Sequence, residues 1–195
     1  MQSIYFVDSN FTYESSKKSI LSIRYATDGF SFCVHDETGK LVVFVHEPYA
    51  ADSREAAVAR LKNYVVNDAI LNLRFKKVYI MPCFKEKLLV PGAFFDKANI
   101  TTLYTVNQEV SPDDTILYHH IEGIEAYLVE TVISSFHDFV REHFPVFQIV
   151  NGAYPFILGA MGKALRDTEQ IFLDIQDNYF DLLFIRDSGI QLFNT

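Results

Sequence analysis

Three carboxylates crowd the end of the chain. Asp174, Asp177 and Asp181 stand in the run FLDIQDNYFD. Carboxylates that converge are the raw material of two-metal phosphodiester chemistry. Here Asp177 falls in the turn of a predicted hairpin, so only Asp174 and Asp181 can meet, and only if they are paired across it. The first strand of the N-terminal region offers no matching acid, and the expected reading is solvated turn acids. His119-His120-x-Glu122 is the second candidate. In a strand, alternate residues share a face, which pairs His120 with Glu122 and turns His119 away. Two ligands are too few for a metal site, so a polar hairpin edge is expected. His137 and His143 are six residues apart, off register for one helix face, and read as ordinary surface or boundary residues. No Gly-x-Ser-x-Gly, Walker-type loop or Cys-x-x-Cys occurs. The sequence therefore predicts no catalytic residue and no metal site.

Composition narrows the partners. A formal net charge of -8 opposes binding to nucleic-acid backbone or anionic membrane, both of which need clustered Lys and Arg. No apolar run approaches the ~20 residues of a membrane helix, and MQSIYFVDSN lacks the features of a secretory signal. Cys33 and Cys83 sit in apolar runs and are expected as buried free thiols of a cytoplasmic protein.

These residues need a scaffold. Residues 1–18 read as a polar lead-in lying on the surface. Residues 20–25, 30–35 and 41–46 read as three strands joined by turns at Thr27-Asp28-Gly29 and Glu37-Thr38-Gly39-Lys40. A helix follows, capped by Asp52 with Glu55 three residues on, with Ala57, Leu61, Tyr64 and Val65 inward. Residues 75–81 form a buried parallel-type strand, giving βββαβ. Short strand or helix pieces surround Pro91-Gly92. Strands are expected at 116–120, 126–130 and 147–150. A helix over 131–144 turns Val132, Phe136, Phe139, Val140 and His143 inward. A second helix over 153–165 carries Gly159, Ala160 and Gly162 for close packing on a sheet.

The closing stretch repeats the opening plan. LSIRYATDGFSFCVHDETGKLVVF and FLDIQDNYFDLLFIRDSGIQLF each run strand, turn with Asp, aromatic strand, turn with Gly, strand. Asp28 pairs with Asp177 in this comparison and Gly39 with Gly189. An internal duplication reframes the whole fold.

That plan resembles the actin-like ATPase fold, two ribonuclease H-like halves that each open with three antiparallel strands. SSFHDFVREHFPVFQIV, AYPFILGAMGKAL and FLDIQ are similar to the helix, strand, small-residue helix and strand that lead into the second half of actin-like pilus-assembly and cell-division proteins. The chain also resembles a bacterial family of unknown function with this fold, typical of Bacteroidota. The resemblance implies an α/β fold with a mixed sheet. Residues 1–168 would form the first half with a small inserted subdomain around 84–150, and 169–195 the opening three strands of an incomplete second half. The natural protein then continues beyond Thr195, or a partner covers the bare sheet.

Active members hold nucleotide phosphates between two strand-Asp-x-Gly loops, one per half. Glycine lets backbone N–H groups approach phosphate, and Asp holds Mg²⁺ or orients water. Arg24 takes the first Asp place and Ala26 the Gly place, with Asp28 in the turn beyond. Asp174 matches the second Asp, and Gln176 replaces the second Gly. The resemblance thus implies degenerate phosphate loops at Arg24, Asp28, Asp174 and Gln176. The expected function is a non-catalytic cytoplasmic scaffold or assembly protein without a cofactor. Its partner would be another protein or a second copy, met through the incomplete sheet. The rival expectation is a nucleotide-binding ATPase or switch using ATP with Mg²⁺.

Overall fold

The computed structural model describes residues 2–195. In chain order the elements are β1 (Ile4–Val7), α1 (Tyr13–Ser16), β2 (Ile20–Ala26), β3 (Gly29–His35), β4 (Leu41–Pro48), α2 (Arg54–Asn67), β5 (Lys77–Pro82) and β6 (Lys87–Pro91). There follow α3 (Ile100–Asn107), β7 (Asp114–Ile121), β8 (Ala126–Ile133), α4 (Ser134–His143), β9 (Phe147–Ile149), α5 (Ala153–Lys163), β10 (Glu169–Ile175), β11 (Phe180–Arg186) and β12 (Gly189–Asn194). The chain divides into two compact units. One holds the described residues up to Phe84 and Val132–Val150, the other Lys85–Thr131 and Asn151–Thr195.

The first unit is a six-stranded mixed sheet in the order β1-β4-β3-β2-β5-β9. The meander β2–β4 is antiparallel, and β5 joins β2 in parallel, with Arg24 opposite Met81. Alternation sends Leu21, Ile23 and Tyr25 of β2 and Phe32 and Val34 of β3 to one buried face. There α2 contributes Ala57, Leu61 and Val65, and α4 contributes Phe136 and Val140; the Tyr25 and Phe136 rings lie 5.0 Å apart. The opposite face carries Ser22, Arg24, Ser31, Cys33 and His46, all half-buried.

The structure departs from several of these expectations. Residues 4–7 lie on the surface as expected, but they form an edge strand, with Ile4 opposite His46. The β-branched and aromatic run IYFV favours extension, yet it is too short for a period to stand out. The cap of α2 is Ser53, whose hydroxyl accepts from the Ala56 N–H at 3.2 Å, not Asp52. Helix α4 begins at Ser134 because Thr131, Val132 and Ile133 prolong β8, as three β-branched residues favour. On α4 only Phe136 and Val140 are buried, while Phe139 is half-buried and His143 exposed. Cys33 and Cys83 are free but half-buried; burial raises the Cys33 thiol.

The second unit contains two three-stranded sheets, β6-β8-β7 and β10-β11-β12. Strand β8 is covered on both faces. Leu128 joins Ala153, Ile157 and Ala160 of α5 and Leu183 and Ile185 of β11, while its neighbour Val129 joins Ile100 and Tyr104 of α3. Two faces with two helices explain why β8 is apolar almost throughout. Of the small residues on α5 named above, Ala160 is buried; a Cβ added at Gly159 or Gly162 meets nothing within 4 Å. Close packing therefore does not require glycine there.

The two meanders repeat in topology but not in turn chemistry. Gly39 has φ +83°, whereas Gly189 has no positive φ, and Asp187 and Ser188 take the left-handed angles of 52° and 62°. That is a two-residue hairpin turn of the primed kind. Glycine is indispensable at Gly29, where φ is +150° and an added Cβ would lie 2.6 Å from the Glu47 carbonyl oxygen. Gly29→Ala is expected to cost at least about 2 kcal/mol in urea unfolding. Gly39→Ala, in open space, is expected to cost only about 1 kcal/mol of backbone strain.

Candidate functional site

Strand β2 carries Arg24 on the half-buried sheet face, four residues before Asp28 of the turn. Its guanidinium grips the Asp28 carboxylate as a fork, Nη1 to Oδ1 at 3.3 Å and Nη2 to Oδ2 at 3.4 Å. The turn is itself pinned. The Thr27 carbonyl accepts from the Ala51 N–H at 2.8 Å and the Asp28 carbonyl from the Tyr49 N–H at 3.0 Å. Burial, helped by the Asp28 charge, pushes the Tyr49 phenol up to about 12, so it stays neutral. Along the same row of the sheet, Ser31 Oγ lies 2.8 Å from His46 Nδ1.

In the second unit, β10 presents Asp174 directly opposite Asp181 of β11. Gln176, just past the strand, folds back. Its Nε2 donates to Asp174 Oδ2 at 2.9 Å, and its backbone N–H donates to the Tyr179 carbonyl at 2.9 Å. The structure thus joins Arg24 to Asp28 in one unit and Asp174 to Gln176 in the other. Asp177 stays in the turn. Among the described residues no group of three or more His, Cys, Asp and Glu side chains is placed to hold a metal ion.

Sequence reasoning missed a buried ion pair of the second unit. Asp181 Oδ1 lies 2.8 Å from Lys87 Nζ, with the two side chains only 3% and 1% exposed. The Thr195 hydroxyl donates to the same carboxylate at 2.7 Å, and Lys87 Nζ sits 4.7 Å from the centre of the Tyr179 ring. Opposite Lys87 in the β6–β8 register stands Glu130. Its Oε2 accepts from Asn151 Nδ2 at 2.8 Å, and Asn151 Oδ1 accepts the Ala153 N–H at 2.8 Å as α5 begins. Glu130 Oε1 faces His119 Nε2 at 3.9 Å, and neither atom has a hydrogen-bond partner. Burial pushes Glu130 up to about 8, outweighing the opposing pulls of Asn151 and Lys87. Burial also lowers His119. So it is His119, not His120, that meets an acid; His120 instead tilts against Tyr127. One signal was readable. Glu130 shares the strand parity of Ala126 and Leu128, a core position occupied by a charge.

A family model described as "Protein of unknown function (DUF3822)" matches residues 8–195. The chain belongs to this family. Among curated proteins, none matches the chain. A Bacteroides thetaiotaomicron protein with an actin-like ATPase fold and unknown function is similar at a TM-score of 0.86 and 22% identity, over 94% of this chain and 72% of that one. The DUF3822 chain therefore has the actin-like ATPase fold. Fainter likenesses are to the cytoplasmic domain of EpsL, an inner membrane component of the Vibrio cholerae type II secretion system, and to an Aquifex aeolicus Ppx/GppA family member. The first has a TM-score of 0.41 and 11% identity over 87% of this chain and 67% of that one. The second has 0.39 and 9% over 90% and 49%. Among the described residues of the DUF3822 chain, no helix is long and apolar enough to cross a membrane.

Proposed function

We propose that this DUF3822 chain is a non-catalytic scaffold or assembly protein that keeps the actin-like fold and has turned its phosphate loops into structural contacts. The observation that carries the reading is the Arg24–Asp28 fork. At the place of a Mg²⁺-holding Asp stands a cation, and its charge is already matched by the acid of the same loop. The second loop supports it, since Gln176 puts a side chain where phosphate needs bare backbone and engages it with Asp174. The reading sets the protein in the cytoplasm, where the free thiols Cys33 and Cys83 stay reduced. Its assembly surface is the outer face of the β10–β12 meander, where Ile171, Leu173, Ile175, Phe180 and Leu192 are exposed. A patch of that character marks contact with another protein or a second copy.

Thermal unfolding with ATP and Mg²⁺ tests the reading. A ligand at a hundredfold over its dissociation constant adds about 2.7 kcal/mol to stability, several degrees in melting temperature for a protein of this size. No shift at millimolar nucleotide is expected. A shift of several degrees that disappears in Asp174→Ala would overturn the proposal in favour of a nucleotide-binding switch.

A further inference from the structure

The sheet β6-β8-β7 has β7 at one edge. The chain is described on both sides of this strand, over 111–113 before it and 122–125 after it. Its sequence, DTILYHHI, has neither the Lys nor the Pro that commonly protects an open edge.

The neighbouring strands fix which peptide groups of β7 face that edge. The Gly92 N–H donates to the Glu125 carbonyl at 2.7 Å, and the same register continues with Leu89 opposite Leu128. Peptide groups alternate in direction along an antiparallel strand. Tyr127 and Val129 therefore turn theirs to β6, and Leu128 and Glu130 turn theirs to β7. Ile121 shares a cluster with Leu128, and His119 faces Glu130, so odd residues of β7 pair with even residues of β8. Leu117 and His119 thus spend their peptide groups on β8, while Ile116, Tyr118 and His120 turn theirs outward. Among the described residues no backbone group beyond the sheet meets those of Ile116 and Tyr118. Such groups are served by water or by another strand.

The edge is self-complementary in one register. Neighbouring residues face opposite ways, so two copies of one edge related by a two-fold axis pair only with some residue opposite itself. Two registers engage all but one of the eight residues of β7. With Tyr118 on the axis, Asp114 meets Glu122 and Ile116 meets the exposed His120, a like-charge and a mismatched pair. With Leu117 on the axis, Asp114 meets His120, Ile116 meets Tyr118 and Glu122 falls opposite Pro112. Asp114 is held for this by its own turn, where its Oδ2 accepts from the Ser111 N–H at 3.2 Å. Ile116 and Tyr118 are backed by the cluster of Val90, Ile100, Tyr104 and Val129.

We propose that β7 is a homodimer interface: a second copy of this chain adds its own β7 antiparallel, with Leu117 on the two-fold axis. Ile116 and the partner's Tyr118 exchange main-chain hydrogen bonds, twice over by symmetry, and each Asp114 carboxylate faces the partner's His120. The two sheets become one continuous sheet of twice the width. This contact uses neither the phosphate loops nor the exposed face of the β10–β12 meander, so it stands apart from the reading of both.

Sedimentation equilibrium of the whole chain, from about 5 to 500 μM, reads the association, with half-dissociation expected on the order of 50 μM. His120 is exposed, so its variants leave the fold intact. His120→Glu sets an acid against the partner's Asp114 at two places and is expected to weaken the dimer about tenfold, whereas His120→Lys is expected to keep or tighten it. Cross-linking fixes the register. Residues facing each other across the axis have Cα atoms about 4.5 Å apart, within disulfide reach, so Leu117→Cys is expected to give a covalent dimer on mild oxidation. His120→Cys places its two thiols about 20 Å apart along the strands and is expected to give no more than the parent, whose Cys33 and Cys83 set the background. A monomer at about 500 μM, a dimer indifferent to His120→Glu, or cross-linking of His120→Cys as complete as that of Leu117→Cys would each overturn the proposal. Association through the β10–β12 face instead would show as a dimer that neither His120→Glu weakens nor Leu117→Cys traps.

Discussion

Lys87→Ala is expected to lower the unfolding free energy by about 3–5 kcal/mol, the largest loss from any single charged residue of this chain. The reason lies in what remains. Asp181 sits 2% exposed on β11, and the desolvation of its carboxylate is offset by an ammonium 2.8 Å away. Without that ammonium the Thr195 hydroxyl is left to serve the charge, and a hydroxyl does not balance one. The pair also ties β6 of one three-stranded sheet to β11 of the other, so its loss loosens both. Urea unfolding measures the effect. Replacing both partners, Lys87→Met with Asp181→Leu, is expected to restore stability to within about 1 kcal/mol of the parent, since a matched apolar pair carries no desolvation cost. Arg141→Ala sets the scale. It breaks the exposed Arg141–Asp138 pair at 2.9 Å and is expected to change stability by about 0.5 kcal/mol or less. A Lys87→Ala cost as small as that of Arg141→Ala would show that the Lys87–Asp181 pair is not dry.

This pair also marks the limit of what the sequence discloses. Local pattern exposes whatever depends on neighbours along the chain. The meander β2–β4, the parallel strand β5 and the closing hairpins all show in alternation and turn residues. Arg24 and Asp28 meet because four residues and one tight turn separate them, and Asp174 and Gln176 because two do. The Lys87–Asp181 and Glu130–Asn151 contacts depend instead on the register of two sheets and on where α5 starts, which no period encodes. The buried Lys87 reads in KEKLLVP as one more surface lysine. Capping at Ser53 rather than Asp52 is a different kind of miss. Two adjacent residues were both chemically suited, and the backbone angle decided between them.

Glu130→Gln is expected to flatten the pH dependence of stability, and the sign of the effect identifies the protonation state of the buried cluster. The groups facing Glu130 are Lys87 from β6, His119 from β7 and Asn151 at the start of α5, with Asp181 of β11 beyond Lys87. Lys87 is engaged with Asp181 at 2.8 Å, so its charge is only partly available to Glu130. Burial then dominates, and the carboxyl moves from 4.5 up to about 8. A carboxyl whose pKa is raised on folding binds protons more tightly in the folded chain. Its contribution is fully present below pH 4.5 and is lost as pH climbs toward 8. The ceiling on that loss is about 5 kcal/mol, since each pH unit between the two values is worth about 1.36 kcal/mol. His119 works in the opposite sense. Its pKa is lowered, so its contribution is present above 6.5 and is lost as pH falls. Gln keeps an oxygen for the Asn151 amide and removes the ionisation. The variant is therefore expected to match the parent near pH 5 and to exceed it by several kcal/mol at pH 8 in urea unfolding. If Glu130 were instead an anion shared with Lys87, the substitution would destabilise the chain at every pH above 5, so a uniform loss would refute this reading.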